Sequence, residues 1–113
     1  MKDNPLLPRQ AVIEEKFYVT ENIVSLTFSI QDRQGFLFKP GQFNMLGIPG
    51  IGEAPISFSS LSTVNGRFEH TIRSAGNVTQ KINQLNKNDK VYVRGPYGNG
   101  WPLEKTKGKN VII

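Results

Sequence analysis

The chain has 113 residues and a mass of 12.7 kDa, which predicts one domain with a core of its own. It contains no cysteine and a single histidine, His70, so disulfides, zinc thiolate sites, Cys-ligated clusters and His-rich metal sites are excluded within this sequence. The net charge is +5, but Lys105, Lys107 and Lys109 crowd a short tail with one acid, Glu104, and without this tail the charge falls to +3. This distribution favours a solvated surface over a nucleic-acid interface.

The N-terminal residues carry no sign of membrane insertion or secretion. No stretch of the sequence approaches 18 apolar residues, and Met1–Pro5 lacks the apolar run of a secretion signal, so we expect a cytoplasmic protein without a membrane span. Pro5 and Pro8 disfavour regular pairing, and residues 1–9 are predicted to form a flexible arm.

Most of the following segments are predicted strands. Residues 11–20 have the composition of a strand, and residues 24–30 alternate apolar and polar side chains, as a strand with one buried face does. Asn65-Gly66 is typical of a hairpin turn. The remaining strands are predicted over residues 42–48, 54–60, 67–73 and 90–94.

One segment has a helical period instead. Val78, Ile82 and Leu85 fall at i, i+4 and i+7, which predicts a helix of about ten residues with Asn77 as its N-cap. Residues 95–100 are predicted to form a tight loop. Six short strands and one helix predict an all-β fold, a six-stranded antiparallel Greek-key barrel with one short helix, over residues 10–107.

The last residues form a turn and a continuous apolar run, Val111-Ile112-Ile113. Such a run is typical of a strand buried on both faces in a parallel α/β sheet. We therefore expect residues 108–113 to begin a second domain that is truncated here.

The residues that could carry chemistry lie in two segments. His70, in a strand, is predicted to be a packed or surface residue, and no carboxylate pairing stands out. Ala54-Pro55-Ile56-Ser57 places a serine hydroxyl where it could bond a flat heterocycle, although an amphipathic strand with outward serines has the same pattern.

The second segment runs from Arg73 through Gly76 into the predicted helix at Thr79. Free backbone N–H groups and the positive end of the helix dipole would favour an anion there, although an ordinary capped helix has the same pattern. The order of the two segments predicts one large cofactor along the barrel, with its ring at the first segment and its phosphates at the second.

Four motifs resemble those of a known family, the flavin-binding domain of the ferredoxin–NADP reductase superfamily. They are Lys39-Pro40-Gly41-Gln42-Phe43, Ala54-Pro55-Ile56-Ser57, Gly76-Asn77-Val78-Thr79 and Val93-Arg94-Gly95-Pro96-Tyr97-Gly98. The resemblance extends over residues 9–113, and the Pro-Ile-Ser form is most similar to electron-transfer subunits. These are the gamma subunit of sulfhydrogenases, the B subunit of anaerobic sulfite reductase and the electron-transfer subunit of dihydroorotate dehydrogenase.

The resemblance implies a barrel that binds FAD, followed by a nucleotide-binding α/β domain. It implies a catalytic position near flavin N5 for Ser57 and a stacking position for Ile56. Ala54 stands where the family has an arginine that pairs with the pyrophosphate, and we expect Arg73 to compensate. The implied cofactor-binding set is Ala54, Pro55, Ile56, Ser57, Thr71, Ile72, Arg73, Gly76, Val78 and Thr79.

The function implied is that of an oxidoreductase module. The whole protein would take hydride from NAD(P)H, bound by the missing domain, and pass electrons to an iron–sulfur or catalytic subunit. This fragment alone is expected to be inactive, without metal or nucleic-acid ligands. Two alternatives stay open: a barrel that has lost its flavin and serves in subunit docking, and a barrel that binds single-stranded nucleic acid.

Overall fold

Seven elements of secondary structure make up the fold. The computed structural model describes residues 7–30, 38–39, 41–60 and 67–98. The elements are β1 (Arg9–Thr20), β2 (Ile23–Ile30), β3 (Phe43–Ile48), β4 (Gly52–Ser57), β5 (Arg67–Arg73), α1 (Asn77–Asn83) and β6 (Lys90–Tyr97). Every strand pairing is antiparallel. The predicted all-β fold with six antiparallel strands and one short helix is confirmed.

The strands form a single sheet in the order β4-β3-β6-β1-β2-β5. Within it, β6-β1-β2-β5 has the spatial order of a Greek key, because the last strand returns to lie beside the first. Within the described ranges, the outer strands β4 and β5 approach each other but form no ladder; an isolated bridge joins Phe58 and His70, and the Ser59 N–H donates to the Glu69 carbonyl. The sheet therefore curls towards the predicted barrel without closing into one.

The alternation in the sequence determines which side chains face the core. In β2, Val24, Leu26 and Phe28 are buried and the residues between them are half-buried. Since β5 pairs with β2 without a register shift, the same period applies there. It directs Phe68, His70 and Ile72 inward and leaves Glu69 and Thr71 on the outer face.

The core lies on the inner face of the curled sheet. Phe28 and Phe68 stack at its centre with their ring centroids 5.7 Å apart. Helix α1 packs against β3, β4 and β5 and contributes the buried Ile82. A helix of seven residues is not stable in isolation, so this packing maintains it. The Lys16 ammonium also donates hydrogen bonds to two carbonyls at the C-terminal end of α1, those of Asn83 and Leu85, each 2.8 Å away.

Several predicted boundaries were wrong. Strand β6 continues through Tyr97, where a tight loop was predicted, because Gly95 adopts a φ of +141° and lets the chain stay paired with β3. A Cβ at Gly95 would collide with Oδ1 of Asn44. Strand β4 ends at Ser57 rather than at residue 60, and β1 begins at Arg9, within the predicted arm. The helix has seven residues rather than about ten.

Other predictions concern residues outside the described ranges. They are the hairpin at residues 65–66, the apolar run at 111–113, and all of the N-terminal arm before residue 7. Within the described ranges, no helix has the length and apolar character needed to cross a membrane.

Candidate functional site

The predicted site residues flank the one place where the sheet is open. We call this gap between β4 and β5 the seam, and its walls are Gly52–Ser57 and Arg67–Arg73. The Phe58–His70 bridge closes one end of the seam. Helix α1 contacts both strands at the other end, where Val78 lies against Gly52. The structure therefore brings the two predicted segments to opposite ends of one gap.

The β4 wall presents both apolar and polar groups. Ala54 and Ile56 are half-buried, and Ile56 packs against the core cluster. Pro55 and Ser57 alternate with them and are exposed. The Ser57 hydroxyl makes no hydrogen bond with any residue in the described ranges. It is therefore available to a ligand in the seam.

The β5 wall has the opposite period. Thr71 and Arg73 are exposed on its outer face, and neither side chain has a hydrogen bond or an ion pair to the rest of the described chain. Ile72 is 1% exposed, so its side chain belongs to the core. A ligand in the seam could reach only the Ile72 backbone, and the Ile72 carbonyl already accepts a hydrogen bond of 2.9 Å from Asn83 Nδ2.

The start of α1 differs from the predicted start. Gly76 is the N-cap, and the predicted N-cap, Asn77, is the first residue of the helix. The Thr79 hydroxyl accepts hydrogen bonds of 3.0 Å from the backbone N–H groups of Ala75 and Gly76 and lies 3.2 Å from the Gly76 carbonyl, to which it donates. The side chain of Thr79 thus holds the turn before the helix, and its hydroxyl proton is directed to the Gly76 carbonyl.

No steric constraint in the described part of the chain requires a glycine at position 76. Its φ of −153° is ordinary extended backbone that any residue adopts, and a Cβ built there would have nothing within 4 Å. Gly52 differs, since its φ is +134° and a Cβ would lie 3.3 Å from Val78. The space beside Gly76 is therefore open.

A buried polar group lies beneath the seam. His70 is 0% exposed, its Nδ1 is 2.9 Å from the Ser57 carbonyl oxygen, and its Nε2 is 3.1 Å from Asn44 Nδ2. Burial lowers the pKa of His70 to about 4, against a weaker opposing effect of the hydrogen bond to Ser57. The ring is therefore neutral near pH 7, as a packed histidine and not as a proton-transfer group.

An ion pair braces the outer side of the β4 wall. Glu53 accepts two hydrogen bonds of 2.7 Å from Arg94 on β6, and this pair spans the intervening strand β3 above Gly47. A Cβ at Gly47 would lie 2.9 Å from Glu53 Cγ, so the glycine makes room for the pair. The hydrogen bond from Arg94 holds the pKa of Glu53 below its usual value. The bidentate geometry fixes β4 relative to β6.

The sequence predicted the walls of the seam but not these supporting contacts. Asn44 and His70 are 26 residues apart, and Glu53 and Arg94 are 41 residues apart. A lone inward histidine in a strand of otherwise apolar inward residues was the one available signal. Across the described ranges, no three His, Asp or Glu side chains form a group that could hold a metal ion.

The chain resembles known proteins along almost its whole length. A family profile for the oxidoreductase FAD-binding domain matches residues 10–101. Sulfhydrogenase 1 subunit gamma of Pyrococcus furiosus is 40% identical over 114 aligned positions, which cover 98% of this chain and 39% of that subunit. A probable dihydroorotate dehydrogenase B (NAD(+)) electron transfer subunit of Thermoplasma volcanium is 35% identical, over 89% of this chain and 37% of that subunit. The chain thus spans about two-fifths of these relatives.

Solved structures show the same fold at lower identity. The cytochrome b5 reductase domain of Ulva prolifera nitrate reductase matches with a TM-score of 0.71 at 17% identity, over 88% of this chain and 45% of that one. An NADH-dependent reduced ferredoxin-NADP oxidoreductase matches with a TM-score of 0.71 at 22% identity, over 82% of this chain and 36% of that one. Together with the profile match, these likenesses confirm the family predicted from the four motifs: the chain belongs to the oxidoreductase FAD-binding domain family.

Proposed function

We propose that this chain binds FAD along the seam and is the flavin-binding module of a longer NAD(P)H-dependent electron-transfer subunit. The observation that carries the proposal is the pairing of an oxidoreductase FAD-binding profile with an open seam. On the outer faces of both walls, Ser57, Thr71 and Arg73 have polar side chains without partners in the described chain. These side chains face outward, where a ligand in the seam could bond them.

The flavin ring would lie at the end of the seam near Ser57. There Ile56 offers an apolar surface, and the Ser57 and Thr71 hydroxyls offer donors and acceptors for the polar edge of the ring. An aliphatic side chain gives packing area without the π-stacking of an aromatic ring. Ser57 is the residue that we assign to the reacting edge of the flavin.

The pyrophosphate would lie at the other end, between Arg73 and the start of α1. The open space beside Gly76 admits an oxygen close to the backbone, and the N–H groups of the first helical turn point towards the helix start. Ala54 brings no charge to this end, so the Arg73 guanidinium is the cation that we assign to the phosphates. Val78 and Thr79 contribute by fixing the turn: Val78 packs near Gly52, and Thr79 bonds the preceding N–H groups.

FAD, when bound, supplies both two-electron exchange with a nicotinamide and one-electron exchange with a metal centre. The chain supplies position, a dry inner face and the charges near the cofactor. We propose that NAD(P)H is bound by the remainder of the protein, since the relatives are more than twice as long as this chain. We further propose an iron–sulfur or catalytic subunit as the electron partner, because these relatives are named as subunits.

A titration of the purified 113-residue chain with FAD, followed by flavin absorbance and fluorescence, tests the proposal. We expect saturable binding of one FAD per chain, with a shifted flavin band. Absence of FAD uptake would contradict the proposal and leave the flavin-less docking barrel. Salt-sensitive binding of a single-stranded oligonucleotide in its place would favour the nucleic-acid alternative.

Two arginine variants test the assignment of the phosphate end. Arg73→Ala removes a charge-assisted hydrogen bond, and we expect FAD affinity to fall about tenfold. Arg67→Ala is the matched control, because Arg67 lies on the same outer face of β5 at the opposite end of the strand. It pairs only loosely with Glu14 and Glu15, at 3.9 and 3.8 Å. An equal loss in both variants would contradict the assignment and indicate a general charge effect.

A further inference from the structure

In core packing, an apolar side chain could take the place of His70, the polar group beneath the seam. His70 contacts Phe28, Phe58 and Phe68, with ring centroids 5.8, 4.7 and 5.6 Å away. A phenylalanine would satisfy these neighbours without the cost of burying a polar ring. What histidine adds at this position is therefore the pair of hydrogen bonds that its two ring nitrogens make.

The partners of the ring fix its tautomer. Asn44 Nδ2 is a donor only, so Nε2, 3.1 Å away, must accept. Nδ1 then carries the proton, and its partner at 2.9 Å, the Ser57 carbonyl, is an acceptor only. The two contacts demand the same tautomer independently, and each is a bond between different strands, from β5 to β4 and from β3 to β5.

Asn44 is itself fixed in place. It is 0% exposed, and its Oδ1 lies beside Gly95, without a hydrogen-bond partner in the described part of the chain. The collision that a Cβ at residue 95 would cause shows how closely β6 approaches the amide. A continuous series of contacts therefore leads from β6 through Asn44 and His70 to the main chain of Ser57, and it leaves these groups little room for movement.

We propose that His70 is a positioning residue that, together with Asn44, holds the Ser57 main chain and so aims the Ser57 hydroxyl across the seam. This inference rests on the proposed function, in which Ser57 lies at the reacting edge of the flavin. The hydroxyl itself has no partner in the described chain, so its direction depends on the backbone that carries it. His70 acts through Ser57 and does not touch the cofactor.

The wild-type apo-protein provides a test that needs no variant. In ¹⁵N NMR spectra of the imidazole at pH 7, we expect the shifts of a protonated Nδ1 and an accepting Nε2. The opposite tautomer would overturn the proposal, since Nδ1 would then be unable to donate to Ser57. This result does not depend on FAD, so failure of the inference can be told apart from failure of the proposed function.

A double-mutant cycle tests the effect on the site. His70→Phe keeps the aromatic packing and removes both hydrogen bonds, and we expect FAD affinity to fall about tenfold. In a Ser57→Ala background the same substitution should cost less than about twofold, because no hydroxyl remains to be aimed. Equal losses in the two backgrounds would overturn the proposal.

Two further variants separate positioning from stability. Phe68→Leu disturbs the same inner face of β5 without touching either hydrogen bond, and its effect should be the same with Ser57 or with alanine. His70→Gln can donate to the Ser57 carbonyl and accept from Asn44, so we expect it to restore most of the affinity that His70→Phe loses. If His70→Phe does not fold, His70→Gln still tests the proposal: it should change the affinity little in either background, and an equal loss in both would overturn the proposal.

Discussion

His70 should make the stability of this protein depend on pH in a range that begins above the one in which carboxylates mainly titrate. It is the only histidine in the chain. Burial lowers its pKa to about 4 in the folded state, whereas the unfolded chain has the ordinary value of 6.5. Between these values the unfolded state binds more protons than the folded state, so stability is fully present above about pH 6.5 and is lost as pH falls.

The size of the effect follows from the two pKa values. Between pH 7.5 and pH 5, the free energy of unfolding should fall by about 2 kcal/mol, and by about 3 kcal/mol by pH 4. Carboxylates titrate mainly below pH 5, so the upper part of this range isolates His70. The result is a destabilisation well before general acid unfolding begins.

Urea unfolding followed by far-ultraviolet circular dichroism, at half-unit steps from pH 7.5 to pH 5, measures this slope. His70→Phe should be less stable at pH 7.5, because it leaves the Ser57 carbonyl and the Asn44 amide without a partner, but its stability should be nearly constant over the range. The same slope in wild type and in the variant would refute the assignment of the pH dependence to His70. Unchanged m-values would confirm that a change in the denatured state is not the source of the pH dependence.

Three further predictions concern other contacts. Gly76→Ala should leave the free energy of unfolding within about 0.5 kcal/mol of wild type, because the lower entropy of the unfolded chain offsets a poorer N-cap. The same substitution should weaken FAD binding in the titration, because its methyl group fills the open space. Arg94→Met should return the pKa of Glu53 towards its usual value in a ¹³C NMR titration, and an unmoved midpoint would contradict the role of the pair. Lys16→Met should cost about 1–2 kcal/mol and speed amide exchange in α1, measured by hydrogen exchange, because the carbonyls of Asn83 and Leu85 lose the hydrogen bonds from the Lys16 ammonium.

The part of the fold that could be predicted from the sequence is the part with local causes. The period-two alternation of β2 and β5 arises because successive side chains in a strand lie on opposite faces of the sheet. Strand β5 was predicted with its observed bounds, Arg67–Arg73. The helix was found from its period, but its N-cap was misplaced by one residue. The local rule favours an asparagine side chain, whereas here the Thr79 hydroxyl bonds the N–H of Gly76 from within the first turn.

The misjudged end of β6 has a similar cause. Gly95 and Pro96 are typical of turns, and the rule failed because pairing with Phe43 keeps Tyr97 in the sheet. The support beneath the seam could not be predicted at all, because it depends on which residues the topology brings together. Ser57 and His70 meet because β4 and β5, although they form no ladder with each other, become the two outer strands of one curled sheet.

The alternation of β5 also separates two kinds of substitution in this protein. The inward residues Phe68, His70 and Ile72 are buried, so their replacement should change the free energy of unfolding first. The side chains of the outward residues Thr71 and Arg73 bond nothing in the described chain, so their replacement should change affinity and leave stability nearly unaltered. His70 is the exception, since its hydrogen bond crosses to the main chain of a residue on the outer face. A scan along β5 should therefore alternate between stability and affinity with a period of two, and His70 should be the inward position at which both change.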